Sequence, residues 1–289
     1  MTYPSTPGTP LLVTGGTGTL GRHVVPLLRA AGHEVRVLTR HPRPDADGVT
    51  HVTGDLLTGE GVEAAVAGAH TVLHLAGGPK GDDVATRALV GAARGADVRH
   101  LVYISVVGAD RVPLAWLRTK LESERAVADS GIPWTVLRAA QFHELTLTMV
   151  EKMTKLPVLP VPGGLRLQPV AAREVAARMA ELTLAAPSGR VADLTGPEVH
   201  DLAALVRPYL ALHGRRRRPH LPVRIPGKAG RAYREGANLT LEGGGDGPAD
   251  LGGVPGRTRR GEGGGGSRPL VRQRRLPPAR EATEAPARS

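Results

Sequence analysis

The chain of 289 residues contains no cysteine. That absence excludes disulfide bridges, thiolate metal sites and cysteine nucleophiles together. Aromatic residues are nearly missing as well, with one Phe, two Trp and four Tyr, so a core has to be assembled from Val, Leu and Ala. No apolar run reaches the ~20 residues that carry a helix across a bilayer. The opening MTYPSTPGTP lacks the basic and apolar segments of a secretory leader. A cytoplasmic protein with no membrane span is the expectation.

Positive charge is in surplus, +11 in all, but it is unevenly placed. The segment after Glu242 carries nine Arg against five acidic residues, and Arg215, Arg216, Arg217 and Arg218 form a run of their own. That run follows a predicted helix and precedes Pro219, where cations favour the helix dipole and project into solvent. Neither a reading helix nor a broad basic patch accompanies it, so no specific nucleic-acid partner is expected. The basic tail would meet polyanions only without sequence information.

Short apolar runs dominate the first half: 10–14, 34–38, 50–54, 71–76, 100–105 and 134–138. Helical stretches near 19–31, 60–67, 83–95 and 117–130 separate them. Almost continuously apolar runs suit parallel strands covered on both faces, and right-handed crossovers place the helices on both sides. The predicted fold is therefore α/β, a Rossmann-type doubly wound parallel sheet over 10–138. The pattern loosens over 139–242, with helices near 141–154, 172–185, 200–212 and 227–235 and strands near 157–161, 191–195 and 220–225. This part reads as a small substrate-side region packed over the carboxyl edge of the sheet. From 243 to 289, twelve Gly, six Pro and nine Arg stand among few large apolar residues. Such a composition cannot offset the entropy of ordering, so a disordered tail is predicted. An Arg/Gly/Pro-rich stretch behind a well-patterned domain is also what a frame shift in GC-rich DNA produces.

The strongest local signal is TGGTGTLG at 14–21, between an apolar strand and a helix with apolar residues at Val24, Val25, Leu27 and Leu28. Gly15 permits the tight turn out of the strand, Gly18 lets backbone approach a pyrophosphate, and Gly21 lets the helix pack closely on the sheet. A helix N-terminus there offers N–H donors and a positive dipole end. Gly15, Thr17, Gly18, Thr19, Leu20 and Gly21 are accordingly read as the dinucleotide pyrophosphate site. No Lys follows the last glycine, which argues against a P-loop. The second strand ends in Leu38, Thr39, Arg40 and His41, without the acid that binds the ribose of NAD. Arg40 stands where a guanidinium pairs with a 2′-phosphate, so NADP(H) is expected over NAD(H). A solvated loop charge is the plainer reading of Arg40.

Together with VLTR at 37–40, GDL at 54–56, HLAGG at 74–78 and PWTVLRAAQFHE at 133–144, the glycine motif resembles the atypical short-chain dehydrogenases/reductases, and within them the NmrA-like group, over about 10–240. The resemblance implies that Asp55 and Leu56 contact adenine and that Ala76 and Gly77 flank the adenine ribose. It implies that Ala139, Gln141 and Phe142 run past the nicotinamide. Asp55 equally fits a turn or helix-capping role.

The same resemblance implies a catalytic Ser, Tyr and Lys, with Tyr and Lys one helical turn apart. Ser105 matches the Ser and Lys120 the Lys, which would also bind the nicotinamide ribose. Trp116 occupies the Tyr position, and an indole N–H cannot relay a proton near neutral pH. Glu122 and Glu124 close by also suit a Lys120 that faces solvent. His143 and Glu144 follow the sixth strand, and His143 is a candidate proton donor. Tyr103 lies inside an apolar strand and reads as packing. Reduction of a quinone tolerates a missing protein acid better than carbonyl reduction does. The leading reading is an NADPH-dependent reductase of a small organic acceptor such as a quinone. The alternative is a catalytically silent, dinucleotide-sensing regulator. A sugar-nucleotide epimerase ranks last, because that chemistry relies on the Tyr. No metal site and no oligomeric state is indicated.

Overall fold

Residues 10–78, 80–156, 158–213 and 219–240 are described by a computed structural model. The expectations for the 243–289 tail and for Arg215, Arg216, Arg217 and Arg218 fall outside these residues. The first half runs β1 (Leu11–Thr14), α1 (Gly21–Ala30), β2 (Val35–Thr39), β3 (Val49–Thr53), α2 (Val62–Val66), β4 (Thr71–His74), α3 (Asp82–Arg94), β5 (His100–Val106), α4 (Ala115–Ala128) and β6 (Trp134–Ala139). It continues with α5 (His143–Met153), β7 (Leu159–Pro162), β8 (Arg166–Leu167), α6 (Ala172–Leu184), β9 (Gly189–Arg190), β10 (His200–Asp201), α7 (Leu202–Leu212), β11 (His220–Val223) and α8 (Gly227–Glu235).

Seven strands form one sheet in the order β3-β2-β1-β4-β5-β6-β9, and every pairing in it is parallel. The order reverses between β1 and β4, whose last residues Thr14 and His74 lie side by side. In open parallel sheets a ligand crevice forms at such a reversal, outside the carboxyl ends of the strands. α1 and α6 share one core with Val13, Val37, Leu73, Val102 and Leu137, and Val24, Leu28, Val175 and Met179 supply the helical side. The opposite face buries Leu12, Val72, Leu101, Tyr103 and Val136 against Val62, Leu89 and Val127 of α2, α3 and α4. Each such Val or Leu, taken fully out of water, contributes about 1.5–3 kcal/mol. The alternation of the six apolar runs is thus a sheet covered on both faces.

Later elements divide. α6 and β9 join the sheet, while α5, α7 and the β7/β11 and β8/β10 pairs surround a separate cluster of Val150, Leu159, Leu167, Leu202, Val206 and Leu210. The strand expected at 191–195 is two residues long and begins earlier, at Gly189. Only Leu194 returns to bridge Ala139. α8 packs on α4, where Trp116, Val112 and Leu117 meet Ala232 and Tyr233.

Candidate cofactor site

The turn after β1 is shaped by what it cannot hold. Gly15 has φ +69°, and a Cβ there would stand 2.6 Å from the Ala76 nitrogen. A Cβ on Gly21 would stand 2.5 Å from the Gly16 backbone. The turn therefore closes against β4 on one side and the start of α1 on the other. Gly18 donates its N–H to the Gly15 carbonyl at 2.9 Å, and a Cβ on it would stand 3.2 Å from that same oxygen. Thr17, Gly18 and Thr19 are exposed, whereas Leu20 is buried in the core. α1 begins at Gly21, two residues later than expected, and no side chain caps its N-terminus. Bare backbone and the positive end of α1 thus meet at the β1/β4 reversal.

Beneath the neighbouring turn lies a buried polar chain. Thr86 Oγ1 donates to the Asp82 carbonyl at 2.7 Å, so its one proton is committed. His74 Nε2, 3.0 Å from that hydroxyl, must donate to it. His74 Nδ1 is then the acceptor for the Thr14 hydroxyl at 2.6 Å, and Thr14 Oγ1 accepts the Ala76 N–H at 3.3 Å. This fixes a neutral His74 with the proton on Nε2. Burial, assisted by the Lys120 charge, pushes its pKa down to about 3. Tyr103 stacks on the imidazole with ring centroids 5.2 Å apart.

Lys120 completes this cluster. It is 8% exposed, which overturns the solvent-facing reading. Its Nζ lies 2.9 Å from Asp82 Oδ2 and 5.4 Å from the Tyr103 ring centroid. Burial disfavours the ammonium, but Tyr103 and Asp82 outweigh that and hold the pKa above the usual lysine range. Gly77, exposed on the turn, would carry a Cβ 3.0 Å from Lys120 Nζ.

Ser105 has a different company. Its hydroxyl donates to Glu124 Oε1 in a short contact, and Glu124 receives Arg138 Nε at 2.8 Å and Nη2 at 2.7 Å. Arg138 Nη1 reaches Asp110 at 2.8 Å. Ser105, Glu124 and Arg138 are all buried. Burial alone would raise the Asp110 carboxyl, yet Arg138 holds it below the ordinary range.

Among the other expected residues, Arg40 follows β2 directly and is exposed, with no ion pair among the described residues. Asp55 accepts the Leu57 N–H at 2.8 Å as a turn residue, and Leu56 is buried in the α2–α4 core. Ala139 is buried at the end of β6, Phe142 bridges Val170, and Gln141 Oε1 is a buried acceptor with no partner among the described residues. His143 is exposed at the start of α5, where its Nε2 donates to the Pro169 carbonyl at 3.1 Å.

A family model for NAD(P)H-binding proteins matches residues 15–183, more than half of the chain. The chain belongs to this NAD(P)H-binding family. It is 33% identical over 195 residues to a (4-alkanoyl-5-oxo-2,5-dihydrofuran-3-yl)methyl phosphate reductase of Streptomyces griseus, covering 65% of this chain and 68% of the relative. It is 28% identical over 212 residues to an NAD(P)H azoreductase of Xenophilus azovorans, covering 71% and 74%. The fold matches an NADPH-dependent quinone oxidoreductase of Escherichia coli, solved with NADPH, at a TM-score of 0.67 and 21% identity over 80% of this chain and 91% of that one.

Sequence reasoning missed three members of this family member's buried clusters: Asp82, Glu124 and Arg138. Asp82 follows HLAGG by only four residues, next to Gly81, and reads as an ordinary helix-start acid. Glu124 stands four residues from Lys120, a spacing that suggests a surface pair. Arg138 lies at the end of an apolar strand, where an uncompensated charge is not tolerated; that was the one available sign of a buried partner. No helix among the described residues is long and apolar enough to cross a membrane, and none of them cluster as metal ligands.

Proposed function

We propose that the protein is an NADPH-dependent reductase of a small organic acceptor, of quinone or azo type. The observation that carries the reading is the bare backbone cradle at the β1/β4 reversal. The cradle fits a dinucleotide on two counts. Gly15 and Gly21 leave no room for side chains, and α1 presents an N-terminus that no side chain caps. Thr17, Thr19 and Leu20 would hold the pyrophosphate by backbone donors, and Gly18, whose own N–H is taken by Gly15, would let it approach the backbone closely. Asp55, Leu56, Ala76 and Gly77 would line the adenosine side, and Ala139, Gln141 and Phe142 the nicotinamide side. Arg40, exposed and without a carboxylate partner, would pair with a 2′-phosphate and so favour NADP(H). When bound, NADPH supplies hydride.

The protein's own acid/base groups are occupied. Ser105 is tied to Glu124, the Nε2 proton of His143 to Pro169, and Tyr103 is fully buried. Trp116 packs against α8 and cannot relay a proton. An acceptor whose reduced anion is already stabilised takes its proton from water, which favours quinones or azo compounds over simple carbonyls. Two of the similar proteins, the azoreductase and the quinone oxidoreductase, act on acceptors of these types. A cavity of about 480 Å³ beside the β5–α4 loop, lined by Arg111, Arg190, Asp193, Leu239 and Thr240, has the size of a small-molecule site and is the proposed acceptor space.

Steady-state oxidation of NADPH against quinone and azo panels tests this. Acceptor-dependent turnover is expected, and Thr240→Trp, at a half-buried position on the cavity wall, should raise KM for the acceptor while leaving NADPH affinity unchanged. NADPH binding without turnover on any acceptor would favour the second reading, a dinucleotide-sensing regulator. The withdrawn Ser105 and the Trp116 substitution are the observations on that side.

A further inference from the structure

Asp82 opens α3 and is 5% exposed. Its two carboxylate oxygens serve different elements. Oδ1 accepts the Gly78 N–H at 2.6 Å, and Oδ2 pairs with Lys120 Nζ at 2.9 Å. Gly77 sits directly over the pair, its missing Cβ 3.0 Å from the ammonium and 3.6 Å from Oδ2. The turn and the lysine, which come from β4 and α4, are thereby joined through one buried acid. Among the described residues Asp82 is the one carboxylate paired with Lys120. Tyr103 of β5 and the neutral His74 of β4 face the same ammonium. Glu124, one turn along α4, is taken by Arg138 of β6.

We propose that Asp82 is a positioning residue for the cofactor crevice, holding the 77–78 turn and the Lys120 ammonium as one unit on which NAD(P)H binding depends. This rests on the reading of the crevice as the NAD(P)H site. Asp82 touches no substrate; it acts through the turn and through Lys120. Its charge also maintains that of Lys120. Without it, one of the two groups that oppose burial is lost, Tyr103 being the other, and the lysine holds its proton less firmly as pH rises.

The test is calorimetric titration of the full chain with NADPH between pH 7 and 9.5, for the wild type, Asp82→Asn, Lys120→Met and the double variant, with melting curves for each. Each single substitution should weaken binding about tenfold, the scale of one charge-assisted hydrogen bond. The double variant should lose no more than the weaker-binding single one, since the two residues act as a unit. The loss in Asp82→Asn should deepen as pH rises, while wild type and Lys120→Met stay level. Additive losses, a pH-independent loss in Asp82→Asn, or wild-type affinity in that variant would each overturn the proposal. If Asp82→Asn does not fold, Lys120→Arg should keep NADPH affinity where Lys120→Met loses it; equal loss in both overturns the clamp. A wild type that binds no NADPH would instead overturn the cofactor reading itself.

Discussion

Lys120 and Glu124 stand one turn apart on α4, both buried and both paired with an opposite charge, yet they belong to different kinds of place. The Asp82/Lys120 pair lies directly under an exposed glycine turn at the ligand crevice. The Glu124/Arg138 pair lies sealed between α4, β5 and β6, and it absorbs Ser105 as well. Two contacts of the same chemistry on one helix are thus divided by what covers them. A buried pair covered by packed side chains secures the fold, and one covered by bare backbone also shapes a surface.

The comparison can be broken most sharply at the glycine turn. Gly18→Asp should abolish NADPH binding, because it adds a side chain and a negative charge where the pyrophosphate is read to lie. Its stability should fall by about 1 kcal/mol, since a Cβ here stands 3.2 Å from the Gly15 carbonyl oxygen and meets nothing else within 4 Å. Chemical denaturation together with titration separates the two effects. Next in size is Glu124→Ala, which strands a buried guanidinium with only the part-exposed Asp110 beside it. It should cost about 3–5 kcal/mol in denaturant unfolding while leaving the NADPH affinity of the folded fraction near the wild-type value. An equal loss of affinity would erase the distinction between the two pairs.

Acid should separate the regions in another way. His74 and His100 are both neutral and buried, with pKa values pushed down to about 3 and about 4 by burial, helped at His74 by the Lys120 charge. Both bind protons more weakly folded than unfolded. The unfolded chain therefore takes up protons first as pH falls below 6.5, and stability present at neutral pH is progressively lost toward pH 4. At pH 5 the loss should be about 2 kcal/mol for each histidine, readable as a falling denaturation midpoint. His74→Gln should flatten part of that slope. The smallest expected effect is at the rim. Arg40→Ala should weaken NADPH about tenfold, for one lost charge-assisted contact, and NADH hardly at all. Equal loss for both cofactors would remove the 2′-phosphate role.

These contrasts also show where the sequence is legible. β1, the glycine turn and α1 follow from local pattern, because each glycine answers to a neighbour within a few residues or to the adjoining strand. The helices on both faces follow from apolar runs of strand length. The company kept by Lys120 does not follow, since α3 and α4 meet through tertiary packing that no helical period encodes. Ser105 was legible as a position and not as a role: its hydroxyl is claimed by a glutamate nineteen residues on. The mixed pairing after β6 was blurred because α6 and β9 return to the main sheet while their neighbours surround a separate cluster.

The imidazole of His74 offers a use of its own. It is held in one tautomer by two threonine hydroxyls, and one of these also receives the amide of Ala76 on the crevice wall. Shielded from water, its Nε2 proton should exchange slowly enough to give a resolved nitrogen-correlated magnetic resonance signal. Any shift of the 76–78 wall changes the hydroxyl that Nδ1 accepts from. The protein thus carries a native spectroscopic reporter beneath its crevice, one that can follow ligand arrival without a label or a turnover assay.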